Sequence, residues 1–154
     1  MPLVHDLARY RAWPQQAQEL ARLLADGQNP SCALLARCTS FMQRFDPRRD
    51  GLWTVMPAAQ PVATLALAGR EVPRIEWLHV AHSWRRRGLA RALWQRASQF
   101  VAVNGGTILE LDLRLDAPAA MAFAGSVGCH PHGPVRTSPT AGRRQVWRCR
   151  AAAA

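Results

Sequence analysis

The stretch IEWLHVAHSWRRRGLARAL, residues 75–93, joins an extended segment to an amphipathic helix through an arginine-rich turn. Its first half belongs to the strand candidate RIEWLHVA, which begins at residue 74 after the turn GREVP. Beyond the arginine-rich turn, apolar residues recur at helical spacing and predict a helix from about Arg86 to Val103. The sequence therefore places consecutive arginines and a glycine where a helix begins.

The start of this helix is a favourable place for an anion. The first backbone N–H groups of a helix have no acceptor within it, and the helix dipole favours negative charge there. Gly88 and the small Ala90 let a phosphate approach the backbone. The side chains of Arg85, Arg86 and Arg87 add charge-assisted donors. The alternative interpretation is a solvated arginine run that precedes a surface helix.

The bulk composition indicates one globular domain, residues 1–154. The chain is 49% hydrophobic and 19% charged, which is ordinary for a folded domain of this length. No apolar run approaches the roughly 20 residues of a membrane span, and the N-terminus lacks a signal-type apolar segment. We therefore predict a cytoplasmic protein that makes no membrane contact.

The cysteines and histidines do not predict a metal site. The four cysteines form no CxxC pair, which fits reduced thiols. The sequence CHPH at residues 129–132 lacks a second ligand cluster at zinc-like spacing. We expect no metal ion and no disulfide framework.

The net charge of +10 comes from arginine alone, since all twenty basic residues are arginine. Compositional bias explains this excess as well as a role toward anionic partners does. The charge disfavours polycationic partners. Nucleic acid stays open as a partner, although no RNP, helix-turn-helix or zinc motif supports it.

The whole chain predicts the element order β-α-α-β-β-β-α-β-α-β-β. The first strand falls near residues 3–10, and three more begin near residues 52, 61 and 74. A strand at residues 107–115 and an Ala-rich helix at about residues 117–127 follow the arginine-rich helix. The last two strands are predicted near residues 129–135 and 144–150. This order indicates an α/β fold with a mixed central sheet of six to seven strands and about four helices.

Leu78 and Val80, followed by Arg85, Gly88 and Ala90, resemble the cofactor motif of the GNAT superfamily of acyl-CoA-dependent N-acyltransferases. That motif is a strand with Leu-x-Val, then [Arg/Gln]-x-x-Gly-x-[Gly/Ala] and a helix. The resemblance implies the GNAT fold, with a sheet splayed between strands four and five. It further implies that acetyl-CoA is the cosubstrate. The residues implied to bind coenzyme A are Leu78, His79, Val80, Arg85, Arg86, Arg87, Gly88, Leu89, Ala90 and Arg91.

The stretch LELDLRLDAPAAMAFAGSVGC, residues 109–129, resembles the strand and helix that follow in this family. It departs from the family where many relatives have a tyrosine that protonates the leaving thiolate. That position is Ala124 here, and Asp116 is the nearest polar residue to the family's asparagine. Water or an unassigned group such as Cys129 or His130 is left to supply this proton.

Glu76 is the candidate general base. The strand IEWLHV is similar to glutamate-containing strands of relatives in which the glutamate often serves as the base. Strand alternation predicts that Glu76 shares a face with Leu78 and Val80. The alternative is a structural carboxylate that pairs with an arginine, for example Arg74. Glu110 and Asp112, on the polar face of their strand, are interpreted as solvent-facing acids, although contact with an acceptor is also open.

The resemblance implies an N-acetyltransferase that transfers acetyl from acetyl-CoA to a primary amine by direct nucleophilic attack. The acceptor is a small-molecule or macromolecular amine that is not polycationic, and a homodimer is left open. Two alternatives remain. One is a degenerate module that binds coenzyme A without catalysis, because Ala124 replaces the tyrosine. The other is a basic nucleic-acid-binding protein.

Overall fold

The computed structural model describes residues 4–6 and 13–152. The helices among these residues are α1 (Trp13–Leu24), α2 (Cys32–Arg44), α3 (Leu89–Val103) and α4 (Pro118–Ser126). The strands are β1 (Val4–Asp6), β2 (Gly51–Val55), β3 (Ala63–Ala68), β4 (Arg74–Val80), β5 (Ile108–Arg114), β6 (His130–Pro131), β7 (Arg136–Ser138) and β8 (Gly142–Arg150). A 3₁₀ turn, His82–Trp84, joins β4 to α3. Across residues 4–6 and 13–152, no helix combines the length and apolarity of a membrane span.

The strands form one mixed sheet in the order β1-β2-β3-β4-β5-β8-β6, and β7 also pairs with β8. All pairs are antiparallel except β4 with β5, which is parallel. The predicted α/β fold with a mixed sheet and four helices is therefore confirmed. Of the predicted first strand, only Val4–Asp6 falls among the described residues.

The strand predicted near residues 129–135 is wrong in its bounds, because β6 covers only His130–Pro131 and a second short strand, β7, follows at Arg136–Ser138. β6 and β7 lie along the same edge of β8, opposite β5, so together they take one position in the sheet. Gly133 lies between them with φ of 84°, a left-handed conformation that extended strands do not adopt.

Two hydrophobic cores cover the two faces of the sheet. One core contains the buried stripe of α3, including Leu89, Leu93 and Ala97, as the helical spacing predicted. The other core packs α1 and α2 against the sheet, with Phe41 and Trp77 in edge-to-face contact at 5.0 Å between ring centroids. Any side chain in the sheet interior therefore faces either α3 or the α1–α2 pair.

The predicted splay between β4 and β5 is confirmed. Register pairs join these strands only at Arg74 with Glu110 and at Ile75 with Leu111. Beyond these pairs β4 continues to Val80 and β5 to Arg114 without pairing to each other. The sheet is therefore closed at one end of this strand pair and open at the other.

A β-bulge lies in β4 next to the point where the strands part. Ala66 of β3 pairs with Trp77, but Leu67 pairs with Ile75, so Glu76 is the extra residue. A bulge locally increases the twist of a strand and redirects side chains. Here it lies where β4 begins to diverge from β5.

The bulge changes which face Glu76 occupies. Ile75, Leu78 and Val80 pack with the core on the α3 side, whereas Trp77 packs with α1 and α2. The Glu76 side chain contacts Arg44 of α2 and therefore points to the same side as Trp77. The prediction that Glu76 shares a face with Leu78 and Val80 is wrong, because regular alternation does not hold across an extra residue.

Candidate functional site

A cavity of about 720 Å³ opens where β4 and β5 diverge. Its walls come from β4, the start of α3, β5 and one face of α4. The cavity is lined by nine of the ten residues predicted to bind coenzyme A: Leu78, His79, Val80, Arg85, Arg86, Gly88, Leu89, Ala90 and Arg91. Their role in binding stays a prediction. The tenth, Arg87, instead lies over the Trp84 ring at 4.6 Å and donates to the carbonyl of Ser83.

The turn before α3 presents a row of backbone donors. Arg86 and Gly88 both adopt left-handed conformations, with φ of 64° and 79°. Within the described chain, the backbone N–H groups of residues 86–91 find no protein acceptor, and the first helical bond runs from Ala92 N to Gly88 O at 3.0 Å. Consecutive unpaired N–H groups at a turn and a helix start form an anion site.

Three arginines at this end of the cavity differ in how firmly they are held. Arg85 donates from Nε to the carbonyl of Val80 at 3.0 Å. Arg91 donates to Oγ of Ser126 on α4 at 3.2 Å. Arg86 makes no hydrogen bond or ion pair with any residue that the structure describes, and it is exposed. Its guanidinium is therefore available to a ligand.

The loop between α1 and α2 is tied to the end of β4. Asp26 of this loop has φ of 52°, and its Oδ1 lies 3.0 Å from Nε2 of His79. Its other oxygen lies 3.5 Å from Nη2 of Arg85. These contacts hold the loop beside the cavity, which His79 lines. Asp26 was not predictable as a site residue, because it is 53 residues away from His79 in the chain.

Glu76 also lines the cavity, and its carboxylate is surrounded by arginines. Its Oε1 lies 3.1 Å from Nη2 of Arg44 and 3.5 Å from Nη2 of Arg70. Its Oε2 lies 4.0 Å from Arg37, which also donates to the Glu76 backbone carbonyl. The pairing of Glu76 with arginines agrees with the alternative interpretation, but Arg74, its example, bonds to Glu110 instead. The role of Glu76 as the general base stays a prediction.

The spacing of the arginines on α2 could have predicted that they lie near each other in space. Arg37 and Arg44 are seven residues apart, which is about two helical turns, so they lie on one face of α2. That face points toward β4.

Glu110 is buried, so its interpretation as a solvent-facing acid is wrong; it is 5% exposed. Its carboxylate lies 2.9 Å from Nε of Arg74 and 3.0 Å from Nε of Arg148. Burial by itself raises the pKa of Glu110, but the hydrogen bonds and charges of the two arginines outweigh it. The pKa of Glu110 therefore lies below its ordinary value of 4.5.

Asp112 lines the cavity from the β5 side. Its Oδ1 lies 2.6 Å from Nη2 of Arg136, and its Oδ2 lies 3.4 Å from Nε of Arg144. Asp112 is partly exposed, as is Arg136. This carboxylate is thus reachable from the cavity while it is paired with arginines of β7 and β8.

The residues that the structure describes include no tyrosine at the expected position of the general acid, and the chain's one tyrosine, Tyr10, lies outside them. Ala124 is fully buried in the core on the α3 side, and α4 presents Phe123 to the cavity. Neither Cys129 nor His130 is among the cavity-lining residues. The hydrogen bond with Cys149 and burial raise the pKa of the Cys129 thiol, which makes it a poor proton donor.

The sequence profile of the acetyltransferase (GNAT) family matches residues 13–128. The fold and the split sheet define an acyltransferase-type α/β domain, and the chain belongs to the GNAT acetyltransferase family. A comparison with curated protein sequences gives no significant match.

Solved structures show the same fold at low sequence identity. The ribosomal-protein-S18-alanine N-acetyltransferase from Escherichia coli is 15% identical, with a TM-score of 0.75 over 100% of this chain and 96% of that chain. A GNAT-family acetyltransferase from Streptococcus pneumoniae is 13% identical, with a TM-score of 0.75 over 99% of this chain and 100% of that chain. An aminoglycoside 6'-N-acetyltransferase complexed with coenzyme A is 12% identical, with a TM-score of 0.74 over 99% and 98%.

Proposed function

We propose that this protein is an N-acetyltransferase that transfers the acetyl group of acetyl-CoA to a primary amine by direct attack. One observation carries the proposal. The row of unpaired N–H groups at residues 86–91 opens into the cavity of about 720 Å³. The side of β4 that faces β5, which has no partner strand beyond Ile75, opens into the same cavity. One long ligand with a diphosphate and an amide-bearing arm can use both features at once.

The order of the elements gives the direction of this ligand. The diphosphate binds at the start of α3, where Arg86 adds a charge-assisted donor. Because α3 follows the carboxyl end of β4, the pantetheine arm runs back along β4 from Val80 toward Glu76. Its amides take the place of a missing strand and pair with the backbone of Leu78 and Val80. The thioester then lies near the place where β4 and β5 part.

The chemistry at that place is acyl transfer. The amine nitrogen attacks the thioester carbonyl carbon, a C–N bond forms and the C–S bond breaks, and coenzyme A leaves as thiolate. The amine must first lose its ammonium proton, and Glu76 is the cavity carboxylate on the side of α2. Because Oε1 of Glu76 already accepts from Arg44, the proton reaches Glu76 most readily through a water. The attacking nitrogen still carries one proton too many for an amide, and this proton passes through water to the thiolate.

The experiment measures thiol release from acetyl-CoA with a panel of amines, together with acetyl-CoA binding by calorimetry. Transfer to at least one amine, with binding that requires the start of α3, supports the proposal. Binding without thiol release for any amine would favour the alternative of a coenzyme A module without catalysis, which the buried Ala124 motivates. No binding of acetyl-CoA would overturn both.

A further inference from the structure

Three carboxylates lie on the sheet face that points to α1 and α2, next to the split. Glu110 and Asp112 alternate with Leu109, Leu111 and Leu113, which belong to the core on the α3 side. The bulge puts Glu76 on the same face as these two acids. Among the residues that the structure describes, seven arginines contact the three carboxylates: Arg37, Arg44, Arg70, Arg74, Arg136, Arg144 and Arg148.

This group of side chains has an excess of four positive charges. The excess is greatest at Glu76, where three arginines share one carboxylate. The side chains of Arg37, Arg44 and Arg70 are 52%, 44% and 56% exposed, so a solute can reach them. One arginine would suffice to neutralise Glu76. The other two are available to an anion.

We infer that the acyl acceptor carries a carboxylate close to its amine, and this inference rests on the proposed function. A zwitterion complements the existing ion pair of Glu76 and Arg44. Its ammonium takes the place of an arginine beside Glu76, and its carboxylate takes the arginine that is released. Each charged group has an opposite charge beside it after this exchange, so none is left desolvated and unpaired.

An acceptor with an ammonium group but no carboxylate cannot make this exchange. It would compete with Arg37, Arg44 and Arg70 for a single carboxylate and would leave their charges unpaired. Like charges within a few ångströms repel strongly where water is partly excluded. Free amino acids and acidic peptide N-termini both carry an amine with a carboxylate close to it. The test therefore includes a pair of compounds from each class.

The small-molecule arm compares β-alanine with β-alaninamide, which differ in the carboxylate. The peptide arm compares Ala-Glu-Ala-Ala with Ala-Gln-Ala-Ala, both C-terminally amidated. We expect kcat/KM to be at least tenfold higher for the acidic member of one pair, and the pair that shows it identifies the source. Equal values in both pairs, or a preference for the neutral members, would overturn the inference.

The variants Arg44→Gln and Arg70→Gln test the assignment to these arginines. Each should reduce the acid-to-neutral ratio of kcat/KM about tenfold, through a higher KM for the acidic acceptor. Arg96→Gln is the matched control, since Arg96 lies exposed on α3, away from Glu76. Equal reductions for both acceptors in the Arg44 and Arg70 variants would overturn the assignment. Unchanged melting temperatures confirm that each variant is folded.

Binding measurements distinguish a failure of this inference from a failure of the proposed function. Calorimetry measures the affinity of the protein saturated with coenzyme A for β-alanine and for β-alaninamide. Tighter binding of β-alanine, lost in Arg44→Gln, supports the inference even if no amine is acetylated, which would overturn only the proposed function. Equal affinities within this pair and, measured in the same way, within the peptide pair would overturn the inference even if other amines are acetylated.

Discussion

Arg74 and Glu110 are register partners on β4 and β5 at the point where the two strands part, and Nη2 of Arg74 lies 2.5 Å from Oε1 of Glu110. Arg148 on β8 binds the other carboxylate oxygen. One buried carboxylate thus joins three strands at the closed end of the split. Pairing between β4 and β5 ends at the next register pair, Ile75 and Leu111, both of which line the cavity.

Glu110→Gln should lower the free energy of unfolding by about 3 kcal/mol, since it leaves two partly buried arginines without their anion. Denaturant unfolding at pH 7 measures this loss. Glu71→Gln, at an exposed position in the turn before β4, is the control and should change stability little. A Glu110 variant as stable as the wild type would show that the junction contributes nothing.

The same carboxylate should make stability depend on pH. The pKa of Glu110 is lowered in the folded state, so its contribution is present above the unfolded value of 4.5. It is lost as the pH falls through the lower folded pKa. Melting temperatures from pH 7 to pH 2 should fall less steeply for Glu110→Gln than for the wild type. Parallel curves for the two proteins would contradict the lowered pKa.

Glu76→Gln should leave acetyl-CoA affinity nearly intact and lower kcat on the order of 10²-fold, the usual contribution of a general base. The loss should shrink as pH rises, because the amine then deprotonates without help. Steady-state rates across a pH series measure both effects, with Glu71→Gln as the control. An undiminished rate in Glu76→Gln would leave this residue with the structural role of holding Arg37, Arg44 and Arg70.

Gly88→Ala should weaken acetyl-CoA binding by tenfold or more. A Cβ at this position meets no protein atom within 4 Å, but φ of 79° strains any residue other than glycine by about 1 kcal/mol. The turn then relaxes, and its N–H groups lose their common direction. Gly125→Ala is the control, since its Cβ also meets open space but its φ is ordinary. Calorimetry that shows equal losses in both variants would contradict this prediction.

Arg86→Gln should weaken acetyl-CoA binding, and the difference from the wild type should diminish at high salt because the lost contact is ionic. Arg87→Gln should have a smaller effect, since Arg87 is held over Trp84 outside the cavity. Binding measured at low and high salt tests this order. An Arg87 variant that loses more affinity than the Arg86 variant would reverse the assignment.

The sequence predicted the elements around the turn at residues 81–88 well, because local signals define them. Helical spacing predicted α3, although the helix begins at Leu89 and not near Arg86, and the turn before residue 74 marks the start of β4. The face of Glu76 was not predictable in the same way, since no residue in IEWLHV signals an extra residue opposite Leu67. The contacts of Glu76 with Arg37 and Arg44 span 39 and 32 residues of chain, so they arise only from tertiary packing.

The burial of Glu110 was also not predictable from the sequence. Strand alternation placed it correctly on the polar face of β5. It could not show that this face is covered, nor that Arg74 and Arg148 flank the carboxylate from the two neighbouring strands. A polar residue in a strand is therefore ambiguous until the neighbours of that strand are known.

The split in the sheet also gives the protein two internal edges. Beyond Ile75 and Leu111, the facing sides of β4 and β5 carry backbone groups that do not pair with each other. Unpaired edges invite association with extended segments of other chains. A ligand that lies along β4 covers such an edge and protects it. Under the proposed function, resistance to aggregation should therefore increase when coenzyme A is bound along β4.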